Sequence, residues 1–538
     1  MLISRSIPLH NNFSGYYYDT SRCDEVIEED DAVFLFHGWL YKDLDLTPRD
    51  LYARLRTTHD ISQFKGVFCG ALIMNNDVTV FTDRLGLGDV FVQEDPLIVS
   101  DRFTEFFRIA EYTMDDLDPV GVAEFVMFEH CIKSRTFIES IRLLPCGTVQ
   151  TIGKEPYQYW DYAFSPKVRP SRKEAFEELD GLFNHAITRI RMENPDGVFG
   201  IGLSGGLDSR ITAKYLKDRG ANVTTFVFDH NNSDAARVSA KLARVMGLPL
   251  KRLVIPDDFS SVLDAHMEYD PMYSVRNAAY CTIRDQLPQC DAMVTGFFGD
   301  TGFGSHIKAA ELTNDGDLAP KLRKRLDVVK TQLAEDDVVA RVDADLASYD
   351  IGKPHWQCAE RSEIDNRQHR FVKNSPSFHF YGRYLPTYSM FSDLDVVEFI
   401  LSLPVDELYE NNFYHSFIRY RFPRLARIRS ERRAYSLMDP SWARHAKTFA
   451  LKVKYKIHEK TGVTLPIFRT IGYRDAFDFE RIYEVNKPHV SRELHAPGLR
   501  IDAIRALTGL RGNQVKYNYY TVGLFAERYL HDAQGYSV

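Results

Sequence analysis

A short run of glycine and hydroxyl residues, Gly202-Leu-Ser-Gly-Gly-Leu-Asp-Ser-Arg210, has the composition of a phosphate-binding loop. The apolar residues on its two sides predict a buried strand before it and a helix after it. Paired glycines allow a tight turn, and the N–H groups at a helix N-terminus attract an anion. Ser204 and Ser209 add hydroxyl donors, and Asp208 adds a carboxylate suited to Mg²⁺. The run predicts a site for a phosphate chain, and the alternative is a glycine-rich connection without a ligand.

The string Ser204-Gly-Gly-Leu-Asp-Ser209 resembles the pyrophosphate-binding loop of the ATP-pyrophosphatase enzymes. It is not a Walker loop, because Gly-x-x-x-x-Gly-Lys-Ser/Thr is absent there. The resemblance implies that ATP is cleaved between its α- and β-phosphates, with AMP passing to an acceptor while the loop holds pyrophosphate. The residues of this loop expected to bind ATP are Ser204, Gly205, Gly206, Asp208 and Ser209.

A second glycine-rich run, Thr295-Gly-Phe-Phe-Gly-Asp-Thr-Gly-Phe-Gly-Ser305, ends another predicted strand. It resembles the segment Gly-Glu-Gly-Ser-Asp-Glu-x-Phe-Gly-Gly of the asparagine synthetase family and aligns with it without a gap. The resemblance implies that Asp300 and Asp208 bind one Mg²⁺ and that Gly296 borders ATP. Two carboxylates on one ion suit Mg²⁺, which bridges charge developing on the leaving pyrophosphate. The alternative is that Asp300 is a turn aspartate that caps the following helix.

Two positions depart from the family pattern where the acceptor would react. Phe297 stands where asparagine synthetases carry glutamate and β-lactam synthetase carries tyrosine, and phenylalanine cannot take a proton. Arg432 stands where the family has a catalytic lysine. Arginine can supply the same positive charge with a different reach, or it can belong to a surface cluster with Arg429 and Arg433. We therefore expect a preserved nucleotide half and a rebuilt or lost acceptor half, with Asp300 and Arg432 as the catalytic candidates.

Residues 1–165 resemble the glutaminase-type N-terminal domain of the same family. Short strands rich in β-branched and aromatic residues alternate with turns and helical stretches, which is typical of sheets covered by helices. The resemblance implies an αββα sandwich like that of the N-terminal-nucleophile (Ntn) hydrolases. Five phrases carry it, in order: His37-Gly-Trp-Leu-Tyr41, Phe64-Lys-Gly-Val-Phe68, Thr82-Asp-Arg-Leu-Gly86, Ile141-Arg-Leu-Leu-Pro-Cys-Gly147 and Tyr159-Trp160.

The nucleophile of that domain is not preserved. A family glutaminase uses a cysteine at the mature N-terminus, whose own α-amino group can activate the thiol. This chain begins Met1-Leu2, and the nearest cysteine, Cys23, has no recognisable processing signal before it. We therefore expect no glutamine hydrolysis, and a scaffold or docking role for the domain. β-Lactam synthetase, carbapenam synthetase and the lasso-peptide cyclases resemble this chain in lacking the cysteine.

Alternating strands and helices follow a linker rich in prolines and basic residues. Strands separated by helices indicate a parallel, doubly wound sheet. Both glycine loops then lie at carboxyl ends of strands, where such sheets bind ligands. The segments predicted are the linker 166–170, strands over 222–228, 250–255 and 292–296, and helices over 171–192, 233–246 and 278–286.

The resemblance also implies that the backbone around Val227 and Phe228 receives the adenine of ATP. We expect residues 171–440 to form a HUP-like ATP-pyrophosphatase synthetase domain with helical additions. The last hundred residues show helical spacing, including an apolar stripe over 517–530. They predict a helical extension over 441–538 that packs on the synthetase domain.

Composition limits the classes of protein that fit. A chain of 538 residues with 44% hydrophobic content can bury more than one core, so two large domains are expected. A formal net charge of −8 argues against a nucleic-acid-binding protein. Seven cysteines without a C-x-x-C pair predict a reducing environment, and no apolar run reaches about eighteen residues. We expect a cytoplasmic protein without nucleic-acid or membrane partners, and a homodimer is left open.

These observations predict an ATP-dependent amide-forming ligase of the asparagine synthetase family. It would use ATP and Mg²⁺ to adenylate a small-molecule or peptide carboxylate, and ammonia or an amine would then displace AMP. One alternative is a non-catalytic nucleotide-binding partner or scaffold derived from such an enzyme. A tRNA-modifying or sulfur-inserting ATP-pyrophosphatase shares the loop, but it fits poorly with the acidic charge and the absent C-x-x-C.

Overall fold

The computed structural model describes residues 1–229, 233–326, 333–374, 385–431, 433, 435–461, 479–492, 494–496, 498–507 and 509–532. Within these ranges the protein is a mixed α/β structure. Antiparallel sheets occupy the N-terminal region and a parallel sheet follows them. The described helices include none that is long and apolar enough to cross a membrane.

The N-terminal strands form two six-stranded sheets in which every pairing is antiparallel. The spatial orders are β10-β8-β9-β1-β3-β2 and β12-β11-β7-β6-β5-β4. The strands are Leu2–Ser4 (β1), Asn11–Phe13 (β2), Tyr16–Asp19 (β3), Glu25–Glu29 (β4), Ala32–Leu40 (β5), Gly66–Met74 (β6), Asp77–Thr82 (β7), Phe91–Gln93 (β8), Ile98–Ser100 (β9), Arg142–Leu143 (β10), Thr148–Thr151 (β11) and Tyr157–Gln158 (β12).

Alternating side chains stack these two sheets face to face. Val33 and Leu35 of β5 lie in a core shared with Ile3 and Val99 of the other sheet. The residues between them, such as Phe34, point to the opposite face of the second sheet, as the two-residue period of a strand requires.

Helices cover the outer faces of both sheets. Helix Pro48–Leu55 (α1) packs on the outer face of the second sheet, while Phe106–Ile109 (α2) and Pro119–Phe128 (α3) pack on the first. The result is four layers in the order helix, sheet, sheet, helix. That these layers are of the Ntn type stays a prediction.

One strand of this region differs from the pattern in the sequence. Phe91 to Val99 is an apolar stretch that predicts a single strand, but β8 and β9 pair with each other as an antiparallel hairpin. The break falls at Asp95-Pro96, where proline lacks the N–H that a continuous strand would donate.

The parallel sheet follows the predicted alternation of strands and helices. Its spatial order is β15-β14-β13-β16-β17, and all four pairings are parallel. This order reverses between β13 and β16, which is the switch point where doubly wound sheets bind ligands. The strands are Val198–Gly202 (β13), Asn222–Asp229 (β14), Leu250–Val254 (β15), Ala292–Thr295 (β16) and Thr387–Ser389 (β17).

Helices lie on both faces of this sheet and extend beyond it. Helices α4, α5 and α6 pack on one face, and residues 275–286 pack on the other. The helices are Arg172–Glu193 (α4), Asp208–Asp218 (α5), Asp234–Met246 (α6), Leu263–Tyr269 (α7), Gly299–Gly302 (α8), Leu318–Leu326 (α9), Asp336–Ala347 (α10), His355–Ser362 (α11), Leu394–Leu401 (α12), Val405–Leu408 (α13), Asn412–Arg421 (α14), Pro423–Ala426 (α15), Ser441–Thr461 (α16), Phe479–Val490 (α17), Ile501–Arg505 (α18) and Gly509–Tyr529 (α19).

Two of the longer helical segments depart from α-geometry. The helix predicted over 278–286 is present as a 3₁₀-helix, Val275–Gln286. Glu363–Val372 is a π-helix, a rare wide form that occurs often at functional sites.

Helix α19 contacts more of the protein than the sequence suggests. Val275 of the 3₁₀-helix donates its N–H to Thr521 Oγ1 at 2.9 Å, so α19 packs on the 3₁₀-helix beside the parallel sheet. Asn518 also donates to the carbonyl of Val126 in α3 at 3.2 Å, and the Phe525 ring packs on Phe137 at 5.2 Å. The last described helix therefore bridges the N-terminal region and the region of the parallel sheet.

Arg189 of α4 makes a second bridge between these regions. Its side chain is 5% exposed, and its guanidinium donates to both carboxylate oxygens of Asp393 at 2.9 Å and of Asp43 at 3.0 Å. The same group lies 4.4 Å from the ring centre of Tyr41. Because Tyr41 and Asp43 belong to the N-terminal region, one buried cation joins three segments of the chain.

Replacing Arg189 with methionine keeps an unbranched side chain but removes the guanidinium and leaves Asp393 buried without its cation. We expect the free energy of unfolding to fall by about 3–5 kcal/mol, the range for a buried pair that loses one partner. Lys173→Met on the same helix is the matched control, because Lys173 and Glu177 are both exposed and such pairs contribute under about 1 kcal/mol. Urea unfolding followed by tryptophan fluorescence measures both, and equal midpoints would contradict the assignment.

Candidate functional site

The first glycine loop connects β13 to α5 at the switch point of the parallel sheet. Ser204 and Ser209 hold it closed, since their hydroxyl oxygens lie 3.2 Å apart and the Ser204 N–H donates to Ser209 Oγ at 3.3 Å. The N–H of Gly206 donates to Ser204 Oγ at 3.2 Å. Gly205 has a φ of +77°, in the left-handed region that favours glycine. The loop is thus a compact turn at the start of an eleven-residue helix.

The second glycine loop passes directly over Asp208. A Cβ atom on Gly296 would lie 2.6 Å from the Asp208 Cβ, and one on Gly299 would lie 2.8 Å from its Cγ and Oδ1. Both distances are shorter than contacts between real carbon atoms, so these two positions must be glycine for the backbone to fit. Phe298 between them has a φ of +72°, which is strained for an aromatic residue.

Asp300 and Asp208, the predicted metal ligands, share a neighbour. Asn411 Nδ2 donates to Asp300 Oδ1 at 2.9 Å. Tyr414 is buried one turn further along, and burial together with the charges of Asp208 and Asp300 raises the pKa of its hydroxyl well above the usual value. The phenol therefore stays protonated beside the two carboxylates. Asp300 lies inside α8 and Phe298 occupies its N-cap position, so Asp300 does not cap that helix.

The Arg210 side chain supports the first loop through hydrogen bonds. In the sequence this residue is visible only as the last position of the motif. Its side chain is fully buried and donates to loop carbonyls, Gly206 O at 2.8 Å and Gly205 O at 2.9 Å. It also donates to the carbonyls of Leu425 (3.0 Å), Ile428 (2.7 Å) and Arg429 (3.1 Å). Burial lowers the pKa of Arg210 to about 10, so it remains charged at neutral pH.

The segment after α15 reaches the same loop. The N–H of Glu431 donates to the carbonyl of Gly205 at 3.3 Å. Arg432, the predicted counterpart of the family lysine, lies outside the described residues. Its neighbour Arg433 has a nitrogen 2.9 Å from His415 Nε2, and burial together with nearby arginines lowers the pKa of His415 to about 3. Arg429 and Glu431 therefore lie next to the loop, and the sequence 429–433 carries three arginines and one glutamate.

The position of Phe297 differs in character from the acidic neighbourhood of Asp300. Its side chain is buried in the core, and its carbonyl accepts a hydrogen bond from Ser389 Oγ at 2.7 Å. The ring packs at 6.2 Å from that of Phe298. This position thus offers an apolar wall and no proton-transfer group.

Val227 and Phe228, predicted to border adenine, end the strand next to β13. Val227 is buried, whereas Phe228 is partly exposed and its ring packs against Tyr280 with the ring centres 5.2 Å apart. Since β13 and β14 are paired in register up to Gly202 and Phe226, both residues lie at the edge that carries the first loop. Residues 230–232, which follow them, lie outside the described ranges.

A cavity of about 690 Å³ lies elsewhere, between the N-terminal sheets and the synthetase region. Its walls include His37, His130, Asp270, His369 and Tyr388, and they include no residue of the two glycine loops. Burial raises the pKa of Asp270 to about 6 and lowers that of His130 to about 3. Several titratable side chains therefore line the cavity, which is separate from the predicted nucleotide site.

Comparison with known proteins yields little similarity. No protein-family model and no curated protein matches the chain. Among solved structures, the chain is similar to the NH₃-dependent NAD synthetase from Campylobacter jejuni subsp. jejuni NCTC 11168, in complex with the nitrate ion, at 13% identity and a TM-score of 0.20. The match covers 33% of this chain and 94% of that one. At this TM-score the likeness supports no conclusion about activity, so any function assigned to the site depends on the geometry of its residues.

Arg210→Met removes the guanidinium that donates to the carbonyls of Gly205 and Gly206 in the loop. A buried carbonyl without a donor costs about 1–3 kcal/mol, so we expect unfolding free energy to fall by at least about 3 kcal/mol. Amide hydrogen exchange over residues 203–210 should accelerate. Lys214→Met on the same helix, whose ammonium pairs with the exposed Asp218, is the control. Unchanged exchange in the loop of the Arg210 variant would refute the supporting role.

Proposed function

We propose that this chain is an ATP-dependent amide-forming ligase that activates a carboxylate. Support comes from one arrangement above all, the passage of the Gly296–Gly299 backbone over Asp208 with Asp300 close by. Two carboxylates, a glycine turn and a helix N-terminus then meet at the switch point of a parallel sheet. Such a set suits a phosphate chain bound together with a hard cation.

Each residue of the site has its own role in the first half-reaction, in which ATP adenylates the carboxylate. The turn formed by Ser204, Gly205 and Gly206 offers N–H and hydroxyl donors to phosphate oxygens, while Asp208 and Asp300 would hold Mg²⁺. When bound, that ion supplies positive charge to the leaving pyrophosphate. Tyr414 and Asn411 keep the two carboxylates oriented, and Arg210 keeps the turn rigid. AMP is transferred from ATP to the carboxylate oxygen, and an amine nitrogen then displaces AMP to form the amide.

Fewer residues support the second half-reaction, in which the amine displaces AMP. Phe297 cannot exchange a proton, so the incoming amine must lose its proton to another group or to solvent. The basic 429–433 segment next to the loop supplies positive charge on that side, and Arg432 is its catalytic candidate. The substrate is a small-molecule or peptide carboxylate, and the nitrogen comes from ammonia, an amine or another protein's glutaminase.

The same burial of Phe297 favours a second candidate function. A nucleotide-binding partner without turnover would keep the phosphate loop and lose the acceptor chemistry, and an apolar wall at this position fits that outcome. Calorimetry with MgATP, paired with a pyrophosphate-release screen over many carboxylates with and without ammonia, separates the two. Tight binding of MgATP without pyrophosphate release across the screen would establish the second candidate.

Asp208→Asn and Asp300→Asn each keep the shape of the side chain and remove its charge. We expect carboxylate-dependent pyrophosphate release to fall by about 100-fold or more, because metal ions at such sites contribute several kcal/mol. Asp218→Asn, at the exposed end of the same helix as Asp208, should retain full activity. Wild-type rates in either site variant would show that phosphate is handled elsewhere.

We expect no glutamine hydrolysis by the N-terminal region. Burial raises the pKa of the Cys23 thiol to about 11, which leaves almost no thiolate at neutral pH. Purified protein incubated with glutamine and MgATP should release glutamate no faster than buffer does, and Cys23→Ala should change nothing. Glutamate formation that is lost in the Cys23 variant would overturn the scaffold interpretation.

A further inference from the structure

A second group of chemically capable side chains lies away from the glycine loops. Cys146, Asp365 and His369 bring one sulfur, one carboxylate oxygen and one imidazole nitrogen within 4.8 Å of one another. Cys146 is 6% exposed and His369 is 9% exposed. Neither the phosphate loop nor the proposed ligase chemistry uses these residues.

The two sides of this cluster come from distant parts of the chain. Cys146 lies in the turn before β11, close to the backbone of Gly86. Asp365 and His369 lie four residues apart on the π-helix Glu363–Val372. The unusual helix thus presents a carboxylate and an imidazole to the same buried thiol.

Neighbouring groups hold two of the three side chains in place. The Tyr162 hydroxyl lies 3.3 Å from His369 Nε2. Arg361 Nε donates to Asp365 Oδ2 at 2.7 Å and the same arginine pairs with Asp161. Hydrogen bonds of this kind orient the ligands in metal sites. A carboxylate has lone pairs enough to accept from Arg361 and still coordinate a cation.

The other cations near the cluster are engaged with other groups. Lys373 Nζ donates to Asp89 Oδ1 at 2.6 Å, and Arg370 donates to the carbonyls of Lys133 and Arg135. The sulfur, the carboxylate and the imidazole of the cluster therefore face one another within 4.8 Å.

We propose that Cys146, Asp365 and His369 bind one divalent transition-metal ion of the zinc type. Sulfur, nitrogen and oxygen donors in this combination suit Zn²⁺, and three protein ligands leave a fourth position for water or another group. Zinc bonds of about 2.0–2.3 Å separate tetrahedral ligands by about 3.3–3.8 Å, so ligand atoms up to 4.8 Å apart must approach one another by up to about 1.5 Å. On binding, the Cys146 S–H bond breaks and its proton leaves to solvent.

The position of the ion indicates a structural role. Cys146 belongs to the N-terminal region, whereas Asp365 and His369 belong to the helical additions of the synthetase region, so the metal would cross-link the two. His369 also lines the cavity of about 690 Å³, which provides a path for the ion. The proposal is independent of whether the glycine loops bind ATP.

The test uses the full-length, untagged protein. After treatment with a chelator it is titrated with Zn²⁺ in competition with a chromophoric chelator, and metal content is measured by mass spectrometry. We expect about one zinc per chain and a higher thermal midpoint with zinc. Cys146→Ser, Asp365→Asn and His369→Gln should each weaken binding by at least about tenfold. Cys358→Ser is the matched control, because Cys358 is equally buried on neighbouring α11 but outside the cluster.

Cobalt supplies a readout that does not depend on stability. Co²⁺ in place of Zn²⁺ should give a thiolate-to-metal charge-transfer band that Cys146→Ser abolishes and Cys358→Ser retains. Circular dichroism establishes that each variant is folded. If folded wild-type protein binds no zinc, or if the cluster variants bind it as tightly as the control does, the three residues are a buried hydrogen-bonded group and the proposal is wrong.

Discussion

The close approach of two backbones at the switch point of the parallel sheet governs the candidate site. β13 and β16 are neighbours, so the loops that leave their carboxyl ends must share one crevice. Glycine at 296 and 299 lets the second loop pass within van der Waals contact of Asp208, and Phe298 accepts a strained backbone to complete the turn. The proposed adenylation depends on this contact, because it brings the loop that carries Asp300 against Asp208.

Two buried arginines, Arg210 and Arg189, join the chain segments near that crevice. Arg210 joins the first loop to the segment after α15 through five carbonyl oxygens. Arg189 joins α4 to Asp43 in the N-terminal region and to Asp393. A guanidinium suits this work because it presents several donors in a fixed plane and remains charged when buried. Hydrogen bonds to Arg210 consequently connect the first glycine loop to residues 425–428.

Local sequence patterns were sufficient for much of this arrangement. The strand and helix around 198–218 and the parallel sheet follow from short-range periodicity and glycine chemistry. The same reasoning was wrong about a single strand over 91–99, which a turn at Asp95-Pro96 divides, and it did not distinguish the 3₁₀ form of the helix over 278–286. It also missed Tyr414 and Asn411, since neither residue belongs to a glycine motif and Asn411 lies 111 residues from its partner Asp300.

The sequence by itself determined where the glycine turn lies, in consecutive residues from Ser204 to Ser209, and it predicted a phosphate ligand for that turn. A departure such as Phe297 is likewise visible without a structure. Only the tertiary structure decided what surrounds that turn. Arg210 donates to the carbonyl of Leu425, and Cys146 lies beside Asp365 and His369. In both cases about two hundred residues of the chain separate the partners. Such meetings depend on how the layers pack, and packing leaves no periodic signal along the chain.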